Sequence, residues 1–128
     1  GLRDVDGAER DLIQSLGIQA YTMHDIDKYG IGKVMMDALD YLGDKPLHVS
    51  YDIDAVDPVL APATGTTVRG GLTYREAHFV AEMAAQSGLL ASAEMVELNP
   101  SLSNDAGATE TTELGLHICT SMMGKSII

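Results

Sequence analysis

The residues best suited to do chemistry are two aspartates, Asp52 and Asp54, at the end of a short apolar segment, 46–54. The β-branched and aromatic residues of this segment are typical of a buried strand. Because side chains alternate along a strand, both carboxylates are expected on one face. Carboxylates held this close share either a proton or a cation, and a metal ion is the usual solution. Oxygen ligands favour manganese, magnesium or calcium over zinc or copper.

Two aspartates at this spacing also have simpler interpretations. A DxD pair alone is more often a solvated strand end or an Asp-rich turn than a metal site. A calcium-binding loop is excluded, because Asp57 falls one place late and neither the required glycine nor the distal glutamate is in place.

A long loop, 57–71, follows the aspartates. It contains Asp57-Pro58, then Pro62-Ala-Thr-Gly-Thr66, then Gly70-Gly71, and is therefore rich in turn residues and hydroxyl groups. In an α/β protein, a loop at the carboxyl end of a strand is where ligands bind.

Strand and helix patterns alternate along the chain. The sequence predicts strands at 1–6, 18–23, 46–54 and 89–97, and helices at 7–17, 31–42, 73–87 and 109–123, with a further helix starting near residue 24. This order predicts an α/β fold with three layers, in which a parallel sheet carries helices on both faces.

Several acidic residues are explained by helix starts. Asp6 is placed to cap the helix at 7–17, with Glu9 three residues later, and Thr73 and Glu76 form the same pattern. Charge at a helix start also explains Asp25 and its neighbour Asp27.

Length and composition limit the class of protein. The 128 residues suffice for one domain, 1–128, and a hydrophobic content of 45% indicates a globular protein. The 8 basic and 19 acidic residues give a net charge of −11, which argues against nucleic acid or an anionic membrane as a partner. A single cysteine and no signal or membrane-spanning pattern favour the cytoplasm, with mitochondria as an open alternative.

Residues 50–66, SYDIDAVDPVLAPATGT, closely resemble the second metal-binding signature of the ureohydrolase family, and the PATGT form is similar to arginases. The resemblance continues upstream in GLRDVD (1–6) and downstream in GGLTYRE (70–76) and ELNP (97–100). It covers essentially the whole chain and implies the three-layer arginase/deacetylase-like fold in truncated form.

The resemblance implies hydrolysis of L-arginine to L-ornithine and urea by a hydroxide that bridges two manganese ions. Asp52 would bridge both ions and Asp54 would complete the shell of one of them. Glu97 matches the residue that orients the guanidinium group and is thus both the catalytic and a substrate-binding candidate.

Four further substrate-binding candidates come from the same resemblance. Thr66 matches a hydroxyl group near the substrate. Asp6 would contact the amino-acid end of the substrate, and Asp4 and Glu9 would support that contact directly or through water. Capping by Asp6 and substrate contact can coexist.

The chain starts at Gly1 without methionine and is expected to be the carboxyl-terminal portion of one arginase domain. The ligand histidines and DAHxD motif of the family would lie upstream, so the chain alone should be a poor catalyst. His48, about 13 Å before Asp52 along a strand, is therefore interpreted as a core residue or one that supports the ligands. The full-length protein is expected to form a homotrimer through the region of Arg75 and Glu76, with the interface tail beyond Ile128.

Two alternatives stay open. One is agmatinase or another ureohydrolase, which would have no use for amino-acid recognition at Asp6. The other is a non-catalytic ureohydrolase-like protein that keeps the fold for assembly.

Overall fold

The computed structural model describes residues 1–125, so the last three residues of the predicted domain and the expected interface tail lie outside the described residues. The described residues form five α-helices, two strands and two short 3-10 helices. These are α1 (Gly7–Leu16), α2 (Met23–Tyr29), α3 (Ile31–Leu42), β1 (Leu47–Asp52), a 3-10 turn (Ile53–Ala55), α4 (Tyr74–Gln86), β2 (Leu90–Val96), a 3-10 turn (Pro100–Leu102) and α5 (Asp105–Met122). None of the helices in this part of the chain is long and apolar enough to cross a membrane.

The two strands form a parallel pair. Tyr51 of β1 lies opposite Met95 of β2, and Asp52 lies opposite Val96, with one irregularity between Leu47 and His48. Because the strands are parallel, their carboxyl ends meet at the same edge of the sheet. The predicted α/β class with parallel strands is confirmed.

The main core lies between this pair and the helices α4 and α5. Its buried residues include Tyr51 from β1, Ile53 from the 3-10 turn that follows and Ile118 from α5. Ala77 and Ala81 of α4 are fully buried, and their small side chains allow α4 to pack closely against its neighbours. The Tyr51 hydroxyl donates a hydrogen bond to the Ala77 carbonyl at 3.2 Å, which ties the strand to the helix.

The opposite side of the sheet carries exposed polar side chains. His48 lies across from Ser92, with Nδ1 2.8 Å from the serine hydroxyl, and Ser50 donates to Glu94 at 2.9 Å. The interpretation of His48 as a core residue is therefore wrong: it belongs to an exposed row of cross-strand pairs.

Residues 1–6 and 18–23, predicted as strands, do not form strands in the structure. The two segments meet only through one parallel bridge, Leu2↔Thr22, in which the Met23 amide donates to the Leu2 carbonyl at 2.8 Å. Pairing stops there because Thr22 is the N-cap of α2 and its own amide donates to the Asp25 carboxylate.

The helix predictions are confirmed with one change of boundary. α1 begins after the Asp6 cap and α4 after the Thr73 cap, each with the complete capping box expected from the sequence. α5 begins at Asp105 rather than 109, because the Asn104 side chain accepts the Gly107 amide at 2.9 Å and starts the helix one turn earlier.

Candidate functional site

The site begins where β1 ends. Asp52 is the last residue of the strand, and its Oδ1 accepts the backbone amide of Asp54 at 3.0 Å, which starts the 3-10 turn Ile53–Ala55. The expectation that both aspartates lie on one extended strand is therefore wrong, yet the turn keeps them neighbours. Partial burial raises the pKa of Asp54 above its usual range, and the negative charge of Asp52 raises it further.

Glu97 joins the two aspartates from the end of β2. It follows the last strand residue, Val96, and its charge also contributes to the raised pKa of Asp54. Among the described residues, Glu97 is the one non-glycine residue with a positive φ, 62°. The charges of Asp52 and Glu97, from two neighbouring strand ends, thus both act on Asp54 at the carboxyl edge of the sheet.

The long loop approaches Glu97 through its central part. Thr64 forms an antiparallel bridge with Leu98, and the Asn99 amide donates to the Ala63 carbonyl at 2.9 Å. A Cβ atom on Gly65 would lie 4.0 Å from Glu97 Oε2, so the backbone of the PATGT segment runs beside that carboxylate. Thr66 is the next residue and is exposed.

Asp57 joins the two ends of the long loop. Its Oδ1 accepts the Val59 amide at 3.0 Å, and its Oδ2 accepts the amides of Gly70 at 2.8 Å and Gly71 at 3.2 Å. The hydrogen bonds from these amides lower the pKa of Asp57 below its usual range, and those from Val59 and Gly70 have the largest effect. The sequence indicates a turn here, but nothing in it indicates a bond across 13 residues.

Arg3 forms hydrogen bonds with backbone carbonyl groups of the site, and the sequence analysis assigns it no role. Its Nη2 donates to the Asp54 carbonyl at 2.8 Å, and its Nε donates to the Val68 carbonyl at 2.9 Å. Nη2 also contacts the Val68 oxygen, and Nη1 donates to the Gly1 carbonyl at 3.1 Å. Val68 and Asp54 are 65 and 51 residues away from Arg3 in sequence, and no local spacing signals such contacts.

Asp4, Asp6 and Glu9, near the start of the chain, take no part in the hydrogen bonds that hold the loop. Asp6 Oδ1 accepts the Glu9 amide at 2.9 Å, and Glu9 Oε2 accepts the Asp6 amide at 3.1 Å, so the predicted capping of α1 is confirmed. Within residues 1–125, neither forms a hydrogen bond with the long loop or with Asp52, Asp54 or Glu97. Asp4 follows Arg3 directly and is exposed.

The carboxylate cluster has the donor chemistry of a site for a hard cation. Oxygen donors of Asp52 and Asp54 suit manganese, magnesium or calcium. Burial raises the pKa of Asp54 most, and a bound cation would offset the additional repulsion from Asp52. Over the residues that the structure describes, no three His, Cys, Asp or Glu side chains are placed to hold a metal ion by themselves. The residues present therefore fit part of a metal shell.

A model of the arginase family matches residues 1–124. The chain belongs to the arginase family. This result agrees with the resemblance carried by the DxD segment, the PATGT loop and the turn after β2, which are the segments that meet in the candidate site.

Curated arginases from fungi match the whole chain. The arginase of Neurospora crassa is 49% identical over 131 residues, and that of Coccidioides posadasii is 50% identical over 129 residues. All of this chain aligns with 37% of the first relative and 40% of the second, so it spans about two fifths of their length.

Solved arginase structures share the fold. A crystal structure of arginase from Bacillus subtilis superposes with a TM-score of 0.92 and 40% identity, over 100% of this chain and 44% of that one. The Entamoeba histolytica arginase, solved in complex with L-ornithine, superposes with a TM-score of 0.88 and 27% identity over 98% of this arginase-family chain and 42% of that one.

Proposed function

We propose that this chain contributes part of the active site of a manganese-dependent arginase, which hydrolyses L-arginine to L-ornithine and urea. The observation that carries the proposal is the meeting of Asp52, Asp54 and Glu97 at the carboxyl edge of the parallel pair, next to the PATGT loop. Membership of the arginase family supports ureohydrolase chemistry at that edge.

Asp52 and Asp54 are the proposed metal ligands. Asp52 would bridge two manganese ions and Asp54 would bind one of them, with the remaining ligands supplied outside this chain. Metal ions held there would supply a hydroxide nucleophile at neutral pH. The Asp54 amide donates to Asp52 Oδ1, and this hydrogen bond restricts the rotation of the Asp52 side chain.

Glu97 is proposed to orient the substrate. A guanidinium group is planar and cationic, and a carboxylate can accept two parallel N–H bonds from it. Such pairing holds the guanidinium carbon in one place, which lowers the entropic part of the barrier. The reaction adds water across a C–N bond: the oxygen goes to the carbon of urea, and the nitrogen leaves as the side-chain amine of ornithine.

Four other residues are proposed to recognise the substrate. Thr66 has an exposed hydroxyl one residue beyond the Gly65 backbone that runs beside Glu97. Asp6, together with Asp4 and Glu9, is proposed for the amino-acid end of arginine. The Asp6 carboxylate has one oxygen, Oδ1, engaged in capping α1, which leaves Oδ2 for a ligand.

Mn²⁺ titration by calorimetry tests the metal assignment. The wild-type chain is expected to bind Mn²⁺, and Asp52→Asn is expected to lower the affinity at least about tenfold, because a carboxylate ligand becomes a neutral amide. Asp44→Asn is the matched control, since Asp44 is exposed and lies in the turn before β1. Equal affinities for all three proteins would overturn the metal assignment.

Urea release tests the substrate. L-arginine is compared with agmatine, which lacks the carboxylate of the amino-acid end. Because residues 1–125 hold only part of a metal shell, turnover by the chain alone is expected to be slow. Faster release from agmatine than from arginine would contradict the arginase assignment and favour agmatinase. Mn²⁺ binding without urea release from either compound would favour a non-catalytic member of the family.

A further inference from the structure

The long loop is held by hydrogen bonds on both sides of a short segment, 64–67, here named the loop tip; Thr64 is buried, and the other three residues are exposed. On one side, the Ala63 carbonyl accepts the Asn99 amide, and the Ala63 amide donates to the Thr111 hydroxyl at 3.0 Å. On the other side, the Val68 carbonyl accepts from Arg3. The loop tip therefore lies between two fixed points, and it contains Gly65, whose backbone runs beside Glu97, and Thr66, the next residue.

Arg3 joins the loop to the carboxylate cluster. One guanidinium group binds the carbonyl of Asp54 at 2.8 Å and that of Val68 at 2.9 Å. A guanidinium group is planar and its donors point in fixed directions, so its acceptors are held at a set separation. Arg3 is half-buried, and among residues 1–125 its hydrogen bonds go to carbonyl oxygens only.

We propose that Arg3 is a positioning residue that sets the distance between the loop tip and the Asp54 segment, and so places the Thr66 hydroxyl beside the carboxylates. The functional consequence rests on the function proposed above. The base of the loop does not depend on Arg3, because Asp57 binds the amides of Gly70 and Gly71 separately. Removal of Arg3 should therefore move the loop tip without releasing the base of the loop or the core.

Backbone NMR of the whole chain tests this proposal. In Arg3→Ala, the amide signals of Gly65 and Thr66 are expected to shift and broaden, while those of Ala81 and Ile118 in the core keep their positions. Arg69→Ala is the matched control, because Arg69 is an exposed arginine of the same loop. The proposal is overturned if Gly65 and Thr66 are unchanged in Arg3→Ala, or if Arg69→Ala moves them as far.

Chemical rescue separates positioning from general support of the fold. Guanidinium chloride at a few millimolar should return the Gly65 and Thr66 signals of Arg3→Ala towards those of the wild type at the same concentration, whereas urea and sodium chloride should not. Failure of this rescue would overturn the positioning role. If Arg3→Ala does not fold, Arg3→Lys decides: its single ammonium group lacks the planar fork that binds both carbonyls, so the Gly65 and Thr66 signals should still shift from those of the wild type, and signals identical to the wild type would overturn the proposal.

Paramagnetic Mn²⁺ separates this inference from the proposed function. Bound at Asp52 and Asp54, it should broaden the signals of Tyr51 and Thr66 in the wild type, and in Arg3→Ala the broadening at Thr66 should fall relative to Tyr51. Equal ratios in the two proteins would overturn the positioning role. If Mn²⁺ broadens neither signal in the wild type, the metal assignment fails, and the metal-free shifts still decide the role of Arg3.

Discussion

Glu97 occupies a backbone conformation that costs free energy. Its φ of 62° lies in the left-handed region, where a residue with a Cβ atom loses about 1–2 kcal/mol. The residues that follow hold it there, because Leu98 pairs with Thr64 and the Asn99 amide donates to Ala63. Strain of this kind is concentrated at functional sites, and here it aims a carboxylate at the edge of the sheet.

Two substitutions at this position separate strain from the loss of the carboxylate. Both Glu97→Ala and Glu97→Gly remove the charge, but only glycine tolerates the positive φ at no steric cost. The glycine variant is expected to be more stable than the alanine variant by about 1 kcal/mol, measured by urea unfolding. Equal stabilities would mean that the backbone of residue 97 relaxes and is not held by its neighbours.

At the scale of elements, α5 helps to hold the long loop through a hydrogen bond from the loop to Thr111. The Thr111 side chain is fully buried; it donates to the Gly107 carbonyl at 2.7 Å and accepts the Ala63 amide at 3.0 Å. The hydroxyl thereby satisfies a buried amide that would otherwise have no partner in the loop, and it links the helix to the residue just before the loop tip.

The variant Thr111→Val tests how much the hydrogen bond between Thr111 and Ala63 contributes to stability. Valine keeps the shape but removes the hydroxyl, which leaves the Ala63 amide unsatisfied at a cost of about 1–3 kcal/mol in the free energy of unfolding. Thr112→Val is the matched control, because Thr112 also donates to the carbonyl four residues earlier but accepts no loop amide. Urea unfolding should show a loss within about 0.5 kcal/mol for the control, and equal losses would refute the link.

The close approach at the base of the loop depends on one glycine. A Cβ atom on Gly71 would lie 2.6 Å from the Asp57 nitrogen and 2.8 Å from the Ala55 carbonyl oxygen, both backbone atoms that cannot turn away. This approach lets Leu72 pair with Val56, and the Leu72 amide donates to Ala55 at 2.9 Å.

Gly71→Ala is therefore expected to lower the free energy of unfolding by about 1–3 kcal/mol, the usual cost of overpacking. Gly65→Ala, in the same loop, places its Cβ at an ordinary contact distance of 4.0 Å from Glu97 Oε2 and should change stability by less than about 1 kcal/mol. Chemical unfolding of the two variants makes the comparison. A loss at Gly65→Ala as large as that at Gly71→Ala would contradict the steric explanation.

Local patterns in the sequence predict the elements that local interactions decide. The capping boxes at Asp6 and Thr73 and the helix Ile31–Leu42 are found where the sequence places them, because a cap and its partner lie three residues apart. The strand pattern at 18–23 failed, because β-propensity reflects packing and pairing with neighbours more than an intrinsic preference, and only one bridge forms there.

In the candidate site too, local sequence motifs were predictable and contacts between distant residues were not. Asp52, Asp54 and Glu97 belong to short sequence motifs, DxD and ELNP, so they could be recognised from the sequence. Arg3, Asp57 and Thr111 hold the loop through bonds that span 13 to 65 residues. Such contacts depend on the folded topology, and residue type and spacing carry no signal for them.

At the scale of the whole molecule, the charge is strongly unbalanced. The chain carries 19 acidic and 8 basic residues, a net charge of −11. Within the part of the chain that the structure describes, two ion pairs form: Lys33 with Asp37, and His48 with Glu94 at 3.8 Å, the latter only when the histidine is protonated. Most carboxylates therefore repel one another without a paired cation, which disfavours the compact state.

Salt should therefore stabilise this chain. Raising sodium chloride from about 0.01 to 0.1 M shortens the Debye length from about 30 to about 10 Å, which screens repulsion between distant carboxylates. The Tm at pH 7, measured by circular dichroism, is expected to rise, and the rise should shrink as the pH approaches the sequence pI of about 4.4, where the net charge vanishes. Sucrose serves as the control, since it stabilises by exclusion and not by screening. A Tm that falls with salt at pH 7 would show that attractive ion pairs outweigh the net repulsion.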